Sequence, residues 1–566
     1  MKKCSTIINL SCNLIILLVF FSYTNCISKK QDKQGYVKET KTEIQKQATK
    51  DTLTADSLPL FQENTQIYYA EKIEALNLKN HIELLSSESF EGRRVGERGQ
   101  KMAGLYIQDF FIKNNLEASV PTDLGKRYIQ EFEIEKSKIS TVTIKTNIQE
   151  KNIVYQNKEH FLANPLTYLH SENELNVILT GYSILPNEQI NGRGIALLLD
   201  TDDKETIFYS NQDWNEKMEK QILSAQKAGA KAVFFVLTNS DNFKVNTKRL
   251  QKNKYLNKEF YTLKTEKSIG VYFLSMETAA QLFEYSEQEW EELVEQFQEN
   301  SIPSNLPYAT ISIQVKKENS ATLTTENIVG FVEGTSLKEE IIIISAHYDH
   351  LGQTKNKANF FAGADDNASG VAALMELAKT FATAKEDGFA PKRSILFLTT
   401  SGEEVGMLGS SYYTDIAPLF PISNSITNLN IDMIGREYIP KNKYSSNDYV
   451  SIVGSDWVSP VLHYTHEKAN ESFTKLNLDY SYNSKSHPEE FFYRSDQYSF
   501  AKYDIPVIFY TSPDHKDYHK VSDTADKIDY QRVENVTKLI FHTTWQLANQ
   551  EKSPKKIEKN VFKDQN

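Results

Sequence analysis

From residue 310 onward the chain alternates short, almost unbroken aliphatic and β-branched runs with segments of helical period. The runs read ATISIQVKK, ENIVGFVEG, EEIIIISAH, RSILFLTT, NSITNLNIDMI, DYVSIVG and IPVIFYT. The helical segments among and after them are SGVAALMELAKTFATA, VSPVLHYTHEKAN and residues 530–549. A strand that is apolar on both faces has to be covered on both faces, and an intervening helix returns the chain so that the next strand lies parallel. This pattern predicts an α/β fold, a mostly parallel mixed sheet with helices on both faces. In such sheets ligands collect beyond the carboxyl ends of the strands, which singles out the residues that end these runs.

The segment before residue 310 divides further. Residues 64–139 show helical spacing at Ile82, Leu84 and Leu85 and again at Met102, Leu105, Tyr106 and Phe110, with the loop SFEGRRVGERG between. They read as the N-terminal part of the main domain, which resumes over 308–550. Residues 140–307 change character: TVTIKT, LNVIL, GIALLLD, KAVFFVL and GVYFLS interleave with the helical MEKQILSAQKAGA and METAAQLFEY. This predicts a smaller inserted α/β module, and AQKAGAKAVFFV within it resembles a protease-associated domain. Residues 27–63, polar and rich in lysine and threonine, read as a disordered tether, and 551–566 as a flexible tail.

The first 26 residues read as an export signal: Lys2 and Lys3, then the apolar run LIILLVFF over 14–21, shorter than an ordinary spanning helix. All three cysteines, Cys4, Cys12 and Cys26, lie in or beside this segment. Cys26 stands where a lipoprotein signal places its acylated cysteine, although Tyr23, Thr24 and Asn25 depart from the small residues expected before such a cut. Lipidation, plain secretion and an uncleaved anchor are all compatible with this, and each puts the body of the chain outside the cytoplasm, in the periplasm, on the outer membrane or secreted. That body has no thiol beyond Cys26, so its metal sites must use nitrogen and oxygen. A net charge of −11 argues against nucleic acid or an anionic membrane surface as the main partner.

Five segments carry metal-ligating residue types: SAHYDHLG, GADDNASG, SGEEVGMLGS, NIDMIG and YHKVSDT. His347 ends the run IIIISA with Asp349 two residues on, placed to accept the ring N–H of His347 or to stand behind a metal; His350 is equally available. Asp365 and Asp366 precede a helix opener. Adjacent carboxylates point in different directions, and with Asp366 or Asn367 as the helix N-cap, Asp365 is left free to bridge two cations. Glu403 and Glu404 follow a strand and the turn Ser401 and Gly402, one suited to ligation and the other to holding a proton. They also suit an ordinary first helical turn. Asp432 lies among Leu429, Ile431, Met433 and Ile434, where an unpaired carboxylate is costly to bury, so a cation partner is expected. His519, with His515 nearby, follows the last run.

Taken in order, the five segments resemble the secreted co-catalytic zinc aminopeptidases of peptidase clan MH, whose relatives include glutamate carboxypeptidase. The resemblance implies two zinc ions per chain, with His347 and Asp432 on one, Glu404 and His519 on the other, and Asp365 bridging. It implies Glu403 as general base, Asp349 as the support of His347, and a cis peptide at Asp365–Asp366. Where relatives tend to have histidine after RSD, this chain has Gln497, which would bear on substrate contacts rather than metal. The function implied is an aminopeptidase acting on peptide substrates through a water shared by two zincs. A carboxypeptidase or dipeptidase, a one-zinc glutaminyl cyclase and an inactive binding protein are the alternatives on the same fold. Phe491, Phe492, Tyr493 and Arg494 are candidates for the specificity pocket or for the core.

Overall fold

In the computed structural model, residues 63–554 are described, apart from 166, 186, 201–215, 253–258, 437–448 and 485–486. The expected export segment and Cys26, nearly all of the tether, and residues 555–566 of the tail lie outside the described residues. Among the described residues no helix is long and apolar enough to cross a membrane.

The apolar runs become strands β1 (Ile129–Ile148), β2 (Glu172–Leu179), β3 (Gly194–Leu199), β4 (Ala232–Leu237), β5 (Gly270–Ser275), β6 (Tyr308–Val332), β7 (Leu337–His347), β8 (Arg393–Thr400), β9 (Ser425–Ile431), β10 (Tyr449–Val453) and β11 (Val507–Thr511). The helices that matter for the site are α1 (Ala75–Leu85), α2 (Arg98–Lys113), α3 (Gly370–Glu386), α4 (Pro460–Ala469) and α5 (Tyr530–Asn549). A single 15-stranded sheet runs β10-β11-β9-β7-β8-β6-β2-β3-β4-β5, with short strands Asn477–Asp479 and Phe161–Ala163 at its two ends. Within it β7 is parallel to both β8 and β9, and β9 is parallel to β11. The fold is therefore the mixed, mostly parallel α/β sheet that the apolar runs predict.

Every residue of β8, β9 and β11 is buried, as strands covered on both faces require. On one face Leu374 and Phe381 of α3 and Ile540 and Trp545 of α5 pack on Ile344 and Phe397. On the other, Phe491, Phe492 and Phe500 pack on Ile343, Leu398 and Phe509. Helix α3 is buried over most of its surface, which explains why its sequence is alanine-rich and confines its polar residues to a narrow stripe through Glu376, Lys379 and Thr383.

One expectation needs correcting. ATISIQVKK and ENIVGFVEG are not two strands but the two ends of the 25-residue β6. Its first end pairs with β2 and its last with β8, while β1 pairs antiparallel along its length from Ser312 to Ile328. The polar stretch between the two runs is exposed, yet β1 satisfies its backbone, so it continues as a strand without a core beneath it. The residues on β2–β5 have cores of their own, around Leu198, Phe234, Tyr272 and Trp290 on one face and Leu197, Phe235 and Phe273 on the other.

A buried polar cluster ties the N-terminal helical turn to α5. Gln66 Nε2 donates to His542 Nδ1 at 2.8 Å, and His542 stacks on Phe473 with ring centroids 4.2 Å apart. Burial, reinforced by Lys538, depresses the His542 pKa to about 3. The unfolded chain takes up this proton near pH 6.5 and the folded chain does not until about pH 3. The contribution to stability is thus complete above pH 6.5 and shrinks as the pH falls below it, by about 2 kcal/mol at pH 5. Thermal unfolding should therefore show a drop in midpoint between pH 7 and pH 5 that is smaller in His542→Gln than in the wild type. Equal drops would mean that His542 does not stay neutral in the fold.

Candidate metal centre

The ends of β7, β8, β9 and β11 converge at one edge of the sheet. β7 ends on His347, the turn Ser401 and Gly402 carries β8 into Glu403 and Glu404, Asp432 follows β9, and the loop after β11 reaches His519. The fifth contribution comes from the segment before α3. There the Asn367 side chain acts as the cap: its Oδ1 accepts from Gly370 N at 3.0 Å and from Met433 N at 3.2 Å, and its Nδ2 donates to Ile431 O at 2.9 Å. With Asn367 capping, Asp366 faces the convergence and Asp365 turns away.

This differs from the expectation that Asp365 bridges. Asp365 Oδ1 accepts from Gly435 N at 2.6 Å, and its Oδ2 lies 3.3 Å from His515 Nε2. It braces the loops that carry Asp432 and His519. The cis peptide is correspondingly Asp366–Asn367 rather than Asp365–Asp366. Asp366 Oδ1 lies 3.4 Å from His347 Nε2, and its Oδ2 lies 3.2 Å from His519 Nε2. Asp432 Oδ1 is 3.4 Å from His347 Nε2, and Glu404 Oε2 is 3.2 Å from His519 Nε2.

These four separations are informative. Two ligands held at about 2.0–2.1 Å by a tetrahedral ion such as zinc stand about 3.3 Å apart, which is the spacing of each pair. The buried Asp432 Oδ1 receives no hydrogen bond, as an atom reserved for a cation would not. His350 Nδ1, by contrast, is 2.6 Å from Glu404 Oε1, a hydrogen-bond distance too short for two ligands of one ion. His350 therefore orients Glu404, while His519 completes the set. The arrangement fits two divalent ions sharing Asp366, one against His347 and Asp432, the other against Glu404 and His519.

The electrostatics agree. Burial would lower the His347 pKa, but the Asp432 and Glu403 carboxylates hold it well above the usual histidine range. His519, against the same opposing effect of burial, is pushed up to about 11 by hydrogen bonds to Asp366 and Glu404. Glu403 is driven well above the ordinary carboxylate range by burial and by Asp432 and Glu404. A cluster in which imidazoles bind protons this firmly has excess negative charge, and divalent cations are what would displace those protons.

Asp349 supports the site in a way its spacing did not foretell. The His347 ring Nδ1 donates to the main-chain carbonyl of Asp349 at 3.2 Å, which fixes the tautomer and leaves Nε2 for a metal. The Asp349 carboxylate is 3.9 Å from that nitrogen and instead accepts from Glu403 N at 3.2 Å. Burial raises the Asp349 pKa to about 7. Glu403 Oε2 itself stands 3.9 Å from His347 Nε2 and lines the cleft with Met433, Phe491, Arg494 and Phe509.

Two other expectations resolve differently from one another. Phe491 and Arg494 line the cleft, whereas Phe492 is core, stacked on Trp457 at 4.1 Å. Gln497 is fully buried, accepts from Asn430 Nδ2 and donates to Phe492 O, each at 2.9 Å, so it packs beneath the site rather than meeting substrate. Sequence reasoning also passed over Asp523, whose Oδ2 accepts from the backbone N–H of both Asp365 and Asp366, at 3.0 and 3.2 Å. It sits in the YHKVSDT segment, four residues after His519, and its carboxylate type was the available signal.

Parts of the chain are similar to known proteins. The chain is 25% identical over 245 residues to aminopeptidase YwaD of Bacillus subtilis, covering 42% of this chain and 48% of that protein. It is 24% identical over 268 residues to a protein named probable zinc metalloprotease from Leptosphaeria maculans, covering 41% of this chain and 59% of that one. It thus spans only about half the length of these curated relatives. Among solved structures, the aminopeptidase from Aneurinibacillus sp. strain AM-1 superposes with a TM-score of 0.42 at 18% identity, covering 88% of this chain and 98% of that one. The model of peptidase family M28 matches residues 327–544, the stretch that holds every candidate ligating side chain described above.

Proposed function

We propose that this chain is an exported di-zinc aminopeptidase that removes N-terminal residues from peptides. The observation that carries the reading is the position of Asp366. Its two oxygens face two separate histidines at tetrahedral-edge spacing, and a carboxylate that is not a ligand, Glu403, stands beside them in the cleft. The aminopeptidase name of the Bacillus subtilis relative supports the reaction class. Residues 1–26 support export, with Cys26 as the point of any lipid attachment, and the 140–307 segment serves as the protease-associated insertion.

Zinc, when bound, supplies Lewis acidity and a nucleophile at neutral pH. The rest falls to the chain. Glu403, destabilised as an anion by burial and by its carboxylate neighbours, is suited to take a proton from the attacking water and return it to the leaving amine. Asp349 holds the Glu403 backbone, and the carbonyl of Asp349 holds the His347 ring. Met433, Phe491 and Phe509 give the cleft apolar walls, and Arg494, anchored on Asp514 at 3.0 Å, closes its rim.

The test is zinc content together with hydrolysis of aminoacyl-anilides and N-acetylated controls, on the chain starting after residue 26. Two zincs per chain, cleavage of free amino termini alone and loss in chelator support the reading. Two zincs with cleavage of the blocked substrates or none at all would reject the aminopeptidase.

A further inference from the structure

The loop SFEGRRVGERG between α1 and α2 sends one arginine into the protein directly behind the metal-ligating loops. Arg93 is 1% exposed and adopts a left-handed φ of +52°, which a non-glycine residue holds only where its surroundings enforce it. Gly92 before it has φ +73°, and a Cβ there would stand 2.5 Å from the Gly352 carbonyl oxygen, so the chain can turn inward only with glycine at this point. The backbone of the turn is tied to the strand extension beyond β7: His350 N donates to Arg93 O at 3.2 Å and Gly352 N to Gly92 O at 2.8 Å.

The guanidinium donates to four main-chain carbonyls. Nε reaches Tyr348 at 2.9 Å, Nη1 reaches Ala362 at 2.9 Å and also Leu85, and Nη2 reaches Gly363 at 2.9 Å. Tyr348 lies between His347 and Asp349, and Gly363 lies three residues before Asp366. One planar fork therefore spans the segment that carries His347 and the segment that carries Asp366. A buried guanidinium bonded to carbonyls rather than to a carboxylate is costly to desolvate. Its pKa is depressed by burial to about 10, against the field of Asp366, Asp523, Asp349 and Glu404, which opposes that shift. Its bonds to both segments, with no ligand contact, point to geometry as its task.

We propose that Arg93 is the positioning residue that sets the distance between His347 and Asp366, and so determines how tightly the centre binds metal. The proposal rests on the metal reading above. Its test separates clamping from charge, because the two roles predict opposite signs. Removing a positive charge near a cation site favours the cation, whereas removing a clamp misplaces its ligands. Zinc affinity would be measured by chelator competition on wild type, Arg93→Lys and Arg93→Met, alongside the rise in thermal midpoint that zinc produces in each.

The expected result is a loss of about 10- to 100-fold in zinc affinity in both variants, the scale seen for groups that orient metal ligands. Arg93→Lys should fail to rescue, since one ammonium cannot span Tyr348, Ala362 and Gly363 together. Zinc affinity unchanged or tighter in Arg93→Met, or restored in Arg93→Lys, would overturn the proposal. If Arg93→Met does not fold, Arg93→Lys alone decides it by the same criterion. A wild-type chain that takes up no zinc would remove the metal reading and this inference with it, whereas zinc-replete variants indistinguishable from wild type would remove only the inference.

Discussion

Asp366→Asn is expected to abolish the metal centre, while Asp365→Asn, one residue away, leaves it standing. The Asp366 oxygens are 3.4 Å from His347 Nε2 and 3.2 Å from His519 Nε2, and an amide offers only one ligating oxygen with no charge. Loss of at least one zinc and a fall in turnover on the order of a thousand-fold are expected, the scale of removing a preorganised electrostatic group. In Asp365→Asn the Oδ1 that accepts from Gly435 N is preserved. Only the contact with His515 changes, so zinc content should hold and turnover fall by no more than about ten-fold, as for other groups that act on ligands indirectly. Metal analysis of the two purified variants decides between them. Zinc retained in Asp366→Asn and lost in Asp365→Asn would restore Asp365 as the bridge that the family resemblance implied.

Glu403→Gln should have the opposite signature: full zinc content with turnover reduced by about 10²- to 10⁴-fold, the range for a lost general base. The glutamate is 3.9 Å from His347 Nε2 and lines the cleft, so glutamine fills the same space and removes only the capacity to take a proton. Burial, with Asp432 and Glu404 nearby, already disfavours the Glu403 anion. The metal-free variant should therefore unfold no more easily than the metal-free wild type. Zinc content, kcat and thermal midpoint measured together check this. Retained turnover with zinc in place would take Glu403 out of the base role.

The fold was legible because its signal is repeated: each buried strand of the main body is a continuous apolar run, and each intervening helix has its own period. Where pairing rather than burial sustains a strand, as through the exposed middle of β6, hydropathy gives no sign of it. At the site, residue types and the order of segments located the cluster to within one position. The exception was the Asp365–Asp366 pair, where two identical side chains sit next to each other and only the direction of the backbone distinguishes them. That direction follows from Asn367, whose side chain caps α3 and also pins Ile431 and Met433, the last two contacts joining residues 64 and 66 apart. The division of labour between His350 and His519 was hidden for the same reason. It depends on distances of 2.6 and 3.2 Å to opposite oxygens of Glu404. Arg93 was hidden more deeply, because an arginine in a glycine-containing loop looks like a solvated residue until its carbonyl partners are known.

The proposed function stands on Asp366 being shared between two metal ions. A crystal of the zinc-loaded protein measured on either side of the zinc absorption edge tests it directly. Two anomalous peaks are expected, one near His347 and Asp432 and one near Glu404 and His519, each about 2.0–2.2 Å from a different oxygen of Asp366. A single peak, or a pair bridged by Asp365 instead, would contradict it.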